Sequence, residues 1–282
     1  MKKNPKISVG IVLFRGEKFL KKCVKSLFEQ KNYSNLEILL CDHSPRGEAK
    51  KFLLKTFPNK KFVLFSRRGN HSSGHNFLLE KARGDFYFCG SFDAIYPPDF
   101  FENLLKCAEK NPDFDFFAPK LFLPNGKIDS TGIEKKPFFR FADRGHGQKD
   151  RGQFDDKTEI FGASGAAFLA RKSAILKIKR HFGFFFDENL HFKNDVDLAF
   201  RTQILNIKTR FCPAATMTHD RGTRQKNAAK RENSFFGHRV VFVKFGRSFS
   251  DFLGQFFRNF FAIFLAPKSF SQFRKWQKNR KK

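Results

Sequence analysis

Tyrosine, methionine and tryptophan are scarce: the 282 residues hold three, two and one of them, against 43 phenylalanines. With lysine also abundant, this reads as a codon-usage bias rather than 43 selected aromatics, so a single Phe carries little weight. Acids are short too. The 27 Asp and Glu face 55 Lys and Arg, a formal net charge of +28, which excludes an acidic, solvating chain. No stretch reaches the roughly 18 consecutive apolar residues that a membrane-spanning helix needs; the longest candidate, residues 260–266, is far shorter. The five cysteines (Cys23, Cys41, Cys89, Cys107, Cys212) include no C-x-x-C pair and are odd in number. That is a reduced, intracellular pattern rather than a disulfide framework. The apolar run at residues 7–14 is short, contains Gly10 and lacks a small-residue cleavage site, so it reads as a first strand and not a signal peptide. The expectation is a cytoplasmic protein, soluble or peripheral.

Some chemistries are missing as well. There is no H-E-x-x-H, no zinc-type Cys/His spacing, no G-x-S-x-G elbow and no G-x-G-x-x-G, so zinc hydrolysis, serine esterase chemistry and dinucleotide binding lack support. What is present is enough apolar residue, 40% of the chain, to bury a substantial core.

Up to about residue 122, short β-rich runs alternate with helix-period segments. Strands are expected at 7–14, 36–41, 62–66 and 86–90, and helices at 17–30, 48–57, 74–82 and 99–109. Strands spaced by helices of this length mean βαβ units and a mostly parallel sheet, whose ligands bind beyond the carboxyl ends of the strands. The residues there are Phe14-Arg15, Asp42-His43-Ser44, 67–76 and Ser91-Phe92-Asp93. Loops and short strands follow over 123–156, then a small-residue run at 161–167, a helix opened by Asn194-Asp195-Val196-Asp197, a strand near 208–212, and the polar cluster Thr218-His219-Asp220-Arg221. Residues 221–282 hold 16 Lys and Arg against two acids, half of the net charge.

Each constellation has a plain alternative. Gly69 to Gly74 has P-loop spacing, but His75 replaces the lysine; a Gly-rich turn before a helix still offers backbone N–H groups to a diphosphate, or is simply a turn. Asp93, just after a strand, suits a hard divalent cation or caps a turn. Asp195 is a general base or a helix cap. His219 is a metal ligand or a loop histidine.

In this order the pieces resemble the nucleotide-sugar glycosyltransferases of family two, with the GT-A fold, most closely a rhamnosyltransferase-like branch. The matching residues are the strand 7–12, Leu40-Cys41-Asp42-His43-Ser44, Gly74-His75-Asn76, Ser91-Phe92-Asp93, the stretch 119–132, Asp143-Arg144-Gly145, 161–165, Asn194 to Asp197 with Arg201, and His219. They span about residues 6–260. The resemblance implies a GT-A catalytic domain over 1–220, with a nucleotide-binding half to about 122 and an acceptor half to about 220, and a basic, Phe-rich amphipathic extension over 221–282. It implies that Asp42 contacts the nucleotide base, that Gly74, His75, Asn76, Ser91 and Asp93 bind the nucleotide sugar, and that Asp93 and His219 hold Mg2+ or Mn2+. Asp195 matches the base, and Gly162, Ser164, Gly165, Asp197 and Arg201 fall on the acceptor side. Two positions depart from the pattern: Ser91 where Asn or Asp is usual, and Asn194 where Glu is usual.

The implied reaction is a single inverting displacement from a nucleotide diphosphate sugar, carrying rhamnose or another hexose, to a hydroxyl of a glycan or lipid-linked acceptor in cell-surface polysaccharide synthesis. Two rivals stand beside it: a relative that has lost catalysis through Ser91 and Asn194, and a basic nucleic-acid-binding chain, for which no recognisable module is present. For the tail, spacings of three and four over 242–264 put Phe on one helical face. That face either packs on the catalytic domain or meets an anionic membrane surface at the inner side of the cell membrane, with Arg274, Lys275, Lys278, Arg280, Lys281 and Lys282 reinforcing it.

Overall fold

The computed structural model describes residues 7–14, 17–31, 36–221 and 228–280; Arg15, Lys281 and Lys282, named above, lie outside them. Strand and helix alternate as β1 (Ile7–Leu13), α1 (Glu17–Phe28), β2 (Leu36–Asp42), α2 (Glu48–Thr56), β3 (Val63–Ser66), α3 (His71–Lys81), β4 (Phe86–Ser91), the short β5 (Ala94–Ile95) and α4 (Phe100–Lys110). Then come β6 (Phe116–Phe122), β7 (Ile128–Ser130), β8 (Ile133–Lys136), β9 (Arg140–Asp143), β10 (Glu159–Ile160), β11 (Ala167–Arg171), α5 (Lys172–Phe182), α6 (Asn194–Ile204) and β12 (Thr209–His219). The chain closes with α7 (Ala228–Phe245), α8 (Phe249–Leu265) and α9 (Lys268–Arg280).

The main sheet runs β10-β12-β6-β11-β4-β1-β2-β3. Strand β1 is buried along its whole length, as befits an apolar strand covered on both faces, and pairs in parallel with β2 on one side and β4 on the other. At that switch in strand order the carboxyl ends open a crevice. The registers Leu13 to Asp42 and Val12 to Ser91 set Asp42 and Ser91 on opposite sides of the end of β1. Helix α1 covers the sheet with Leu20, Cys23, Val24 and Leu27, all fully buried, a stripe at helical spacing. Beyond β4, antiparallel β11 is inserted before the parallel pair β6 and β12. The end of β12 pairs with β5, His219 opposite Ala94.

Three expectations need correction. Helix α3 begins at His71, not Gly74, because Asn70 and Ser73 form a reciprocal capping box; Gly74 is inside the helix. Cys107 and Cys212 form a disulfide, their Cα atoms 6.2 Å apart and 105 residues apart in sequence. The pairing is created by α4 lying along β12, which cysteine spacing cannot reveal. The tail is not one helix: α7 ends at Phe245, just before Gly246, and Ser248 with Asp251 caps a new helix. Phe242 and Phe245 of α7 pack into a cluster with Phe139, Val196 and Trp276, whereas most Phe side chains of α8 face outward. Among the described residues no helix is long and apolar enough to cross a membrane.

Candidate active site

Asp93 sits in the turn between β4 and β5, where the Ser91 hydroxyl donates to its Oδ1. His219 reaches the same carboxylate from the end of β12, with Nε2 3.2 Å from Oδ1. The backbone N–H of Asp220 donates to the Asp93 carbonyl at 2.9 Å, locking the two segments together. The other imidazole nitrogen, Nδ1, meets Asp129 Oδ2 at 2.8 Å. Asp129 is fully buried at the end of the 119–132 stretch; its second oxygen ion-pairs with Arg221, which also binds Asp143 at 2.8 Å. Charges therefore alternate along Asp93, His219, Asp129, Arg221 and Asp143.

Burial by itself would lower the imidazole of His219, but its bonds to Asp129 and Asp93 outweigh that and raise it to about 9. Burial likewise favours the neutral acid at Asp93, yet His219 and Ser91 hold the carboxyl below its ordinary range. Once its Nε2 proton leaves, a histidine whose far nitrogen is fixed by a buried carboxylate forms, with the carboxylate beside it, a donor set suited to a divalent cation. Asp93 and His219 fit the metal that the sequence implies, with Asp129 behind them. A cavity of about 430 Å³ adjoins Asp93, lined also by Lys18, Lys22, Thr218 and Asp220.

Asp195 lies in the first turn of α6 and accepts backbone N–H bonds from Gly165 at 3.2 Å and Val196 at 2.8 Å. Part of its surface reaches solvent, but burial of the carboxyl raises it above the usual range; Lys193 works against the rise and Asp143 with it. The small-residue run makes this approach possible. A Cβ on Gly162 would stand 2.4 Å from that of Ala199 on α6, and one on Gly165 would stand 3.3 Å from Asp195. Ser164 is buried in the same loop. Asn194 accepts the Asp195 N–H and donates to His71 and Ser72, both at 3.2 Å.

Other expected residues have different surroundings. His75 is 0% exposed, bonded to the Tyr87 hydroxyl at 2.7 Å and beside Cys89 at 3.4 Å; burial drives it well below the ordinary histidine value. A neutral imidazole in the core does not meet a diphosphate, so its expected role there is corrected. With His71, itself lowered by burial to about 4, these side chains bring three donor atoms within 4.8 Å of one another. Gly74 lets α3 close on β1, since a Cβ would lie 2.5 Å from Val12. Asn76 clamps the main chain of Phe186 through two hydrogen bonds of 2.8 and 2.9 Å. Asp197 and Arg201 are buried and paired at 2.8 Å, with Lys244 on the second oxygen of Asp197 at 2.7 Å; they hold α6 to α7 rather than facing an acceptor. Asp42 accepts the N–H groups of Ser44 at 2.7 Å and Lys50 at 2.8 Å, steadying the entry to α2. Spacing does not distinguish Asp129, Asp143 and Arg221, although each lies in a motif already singled out.

The chain matches the model of "Glycosyl transferase family 2" over residues 8–179. A search of curated protein sequences gives no match. Among solved structures, GalNAc-T7 with UDP, GalNAc and Mn2+ superposes with a TM-score of 0.65 at 13% identity, over 86% of this chain and 48% of that one. The present chain thus spans about half the length of that enzyme. The mannosyltransferase PcManGT from Pyrobaculum calidifontis, in complex with GDP-Man and Mn2+, gives 0.60 at 14% identity over 97% and 74% of the two chains. Residues 1–349 of TarS from S. aureus give 0.58 at 16% identity over 85% and 65%. These likenesses share the GT-A fold, and the family model covers more than half of the sequence: the chain belongs to glycosyl transferase family 2.

Proposed function

We propose that the protein moves a sugar from a nucleotide diphosphate sugar to a hydroxyl of a glycan or lipid-linked acceptor, with inversion, in the synthesis of a cell-surface polysaccharide. The reading is carried by the opposed surroundings of two carboxylates. Asp93 is held low by His219 and Ser91 and stays ionised. Asp195 is raised by burial and is bonded by backbone N–H groups of Gly165 and Val196. Two carboxyls pushed apart in this way take different roles.

A sugar nucleotide brings its own leaving group, so the protein must steady the diphosphate and take one proton from the acceptor. Asp93 and His219 are the residues that would hold Mg2+ or Mn2+, which supplies charge stabilisation for the departing diphosphate. Lys18 and Lys22, on the cavity beside Asp93, add positive charge there. Asp42, at the neighbouring strand end, keeps the nucleotide-base role implied by the resemblance. Asp195 accepts the acceptor proton, with Gly162, Ser164 and Gly165 shaping that side. One base acting opposite the leaving group gives a single displacement and hence inversion. Ser91 is compatible with this scheme because its hydroxyl supports Asp93 rather than replacing it, and Asn194 because it braces Asp195 against α3. Deoxythymidine diphosphate rhamnose or a uridine diphosphate sugar is the donor that the resemblance favours; the UDP and GDP-Man bound by the structural neighbours support a nucleotide donor in general.

Asp195→Asn tests the assignment. The transfer rate should fall about 10²–10⁴-fold, the usual worth of a general base, while donor affinity measured by calorimetry stays within a few-fold. A loss below tenfold, or an equal loss of donor affinity, would remove Asp195 from this role.

A further inference from the structure

Helix α8 turns its apolar side to the outside. Its inner side is fixed in place: Gln255 accepts from His238 Nδ1 at 2.9 Å through Oε1 and donates to Asn259 at 2.7 Å through Nε2, and Ala262 is fully buried. Gly254 lies so close to the Phe138 carbonyl that a Cβ would stand 2.1 Å from it. The outer side carries Phe252, Phe256, Phe257, Phe260, Phe261 and Phe264, each at least 54% exposed. Of the two charged residues of the helix, Asp251 is buried and Arg258, half-buried, lies at the edge of that side. A soluble surface does not ordinarily gather so large an apolar patch without something to cover it.

An apolar groove of about 660 Å³ runs along this face, lined by Phe138, Arg140, Phe257, Arg258, Phe261 and Leu265. Its two arginines repel one another: burial first, and Arg140 second, lower the guanidinium of Arg258. The Arg258 Nε is buried and, among the described residues, has no hydrogen-bond partner. The exposed Arg140 and the solvent-facing part of the half-buried Arg258 guanidinium bring N–H donors to one groove, where a phosphate oxygen would offset their repulsion. Aromatic side chains for an acyl layer, a groove for a chain and paired arginines for a phosphate are the parts of an anionic lipid surface site. The following helix, α9, adds exposed Lys268, Arg274, Lys275 and Lys278. A second copy of the chain is the poorer occupant, since it would bring the same basic groups and another +28 against them.

We propose that α8 lies in the interfacial layer of an anionic bilayer, its Phe side chains among the acyl chains and Arg140 with Arg258 on a lipid phosphate. The proposal does not depend on the transferase reading, and its test reads no activity. The full chain is floated with phosphatidylcholine vesicles and with vesicles in which part of that lipid is replaced by phosphatidylglycerol. It should bind the second kind at least about tenfold more tightly, less so at high salt. Phe260→Ser with Phe264→Ser should abolish binding. Exposed Arg140→Gln should weaken it about fivefold, and Arg140→Gln with Arg258→Gln about 10–30-fold, each variant melting as the parent does. A Phe264→Trp variant should be quenched by brominated acyl chains. Equal binding to neutral vesicles overturns the proposal. So do stabilisation by inorganic phosphate with vesicle binding indifferent to the Phe substitutions, and a Phe-dependent dimer in light scattering that ignores vesicles.

Discussion

His219, held between two carboxylates, sets how the fold responds to alkali. In the folded chain it keeps its proton to about 9, whereas in the unfolded chain it releases it near the ordinary 6.5. Its contribution to stability is therefore fully present below pH 6.5 and is lost as pH rises through 9. His71 and His238 work in the opposite direction. Burial first lowers them to about 4 and about 3, so stability falls as pH drops below 6.5 and the unfolded chain takes up protons that these residues refuse. The metal-free protein should melt at its highest temperature near pH 6.5 and lower on both sides. Asp129→Asn should flatten the alkaline limb in scanning calorimetry and leave the acid limb in place. A melting temperature still climbing at pH 9 would contradict the His219 pairing. The places of Asp93, after a strand end, and of Asp195, opening a helix, were legible in the sequence, whereas His219 was singled out by the family resemblance, its strand being expected to end near 212 and running instead to 219. Asp129 was not legible, since the histidine it holds is 90 residues away. His75 was misread for a related reason: a histidine near a helix start has the same local sequence whether it points at a ligand or, as here, at Tyr87.

At the level of elements, Asp195, the proposed base, is placed by helix α6 and the loop that touches it. Gly162 allows that contact, for a Cβ would lie 2.4 Å from the Ala199 side chain. Gly162→Ala should push the loop from α6 and shift Gly165 away from Asp195. Misplacement of about 1 Å costs on the order of 10²-fold in rate, so the transfer rate should drop at least tenfold with a melting temperature only modestly lower. An unchanged rate would show that the loop does not position the base. The alternation of strands and helices to α4 was readable because apolar period changes from two to 3.6 along the chain. Two boundaries escaped that signal. The start of α3 is set by the Asn70 and Ser73 cap rather than by apolar spacing. The apolar period runs on past residue 245, although the chain breaks at Gly246 and is capped again at Ser248, so that α7 packs inward and α8 outward.

For the whole molecule, topology matters more than composition. The net charge of +28 suggested a polyanion partner, yet basic side chains serve separate ends: Arg221 and Lys244 in buried ion pairs, Lys18 and Lys22 at the Asp93 cavity, Arg140 and Arg258 in the groove on α8. The Cys107–Cys212 bond joins α4 to β12, the strand whose end delivers His219; it was hidden because both cysteines look isolated in sequence. The crevice at the end of β1, with Asp42 and Ser91 on its two sides, is a product of strand order. Transfer chemistry at that crevice is tested most directly by following nucleoside diphosphate release from a panel of sugar nucleotides, with Mn2+ or Mg2+ and with EDTA. Release should occur from one class of donor, require the cation, and disappear in Asp93→Ala. Full turnover in EDTA would contradict the role of Asp93 and His219 as cation ligands, and no release from any donor with either cation would contradict an active transferase.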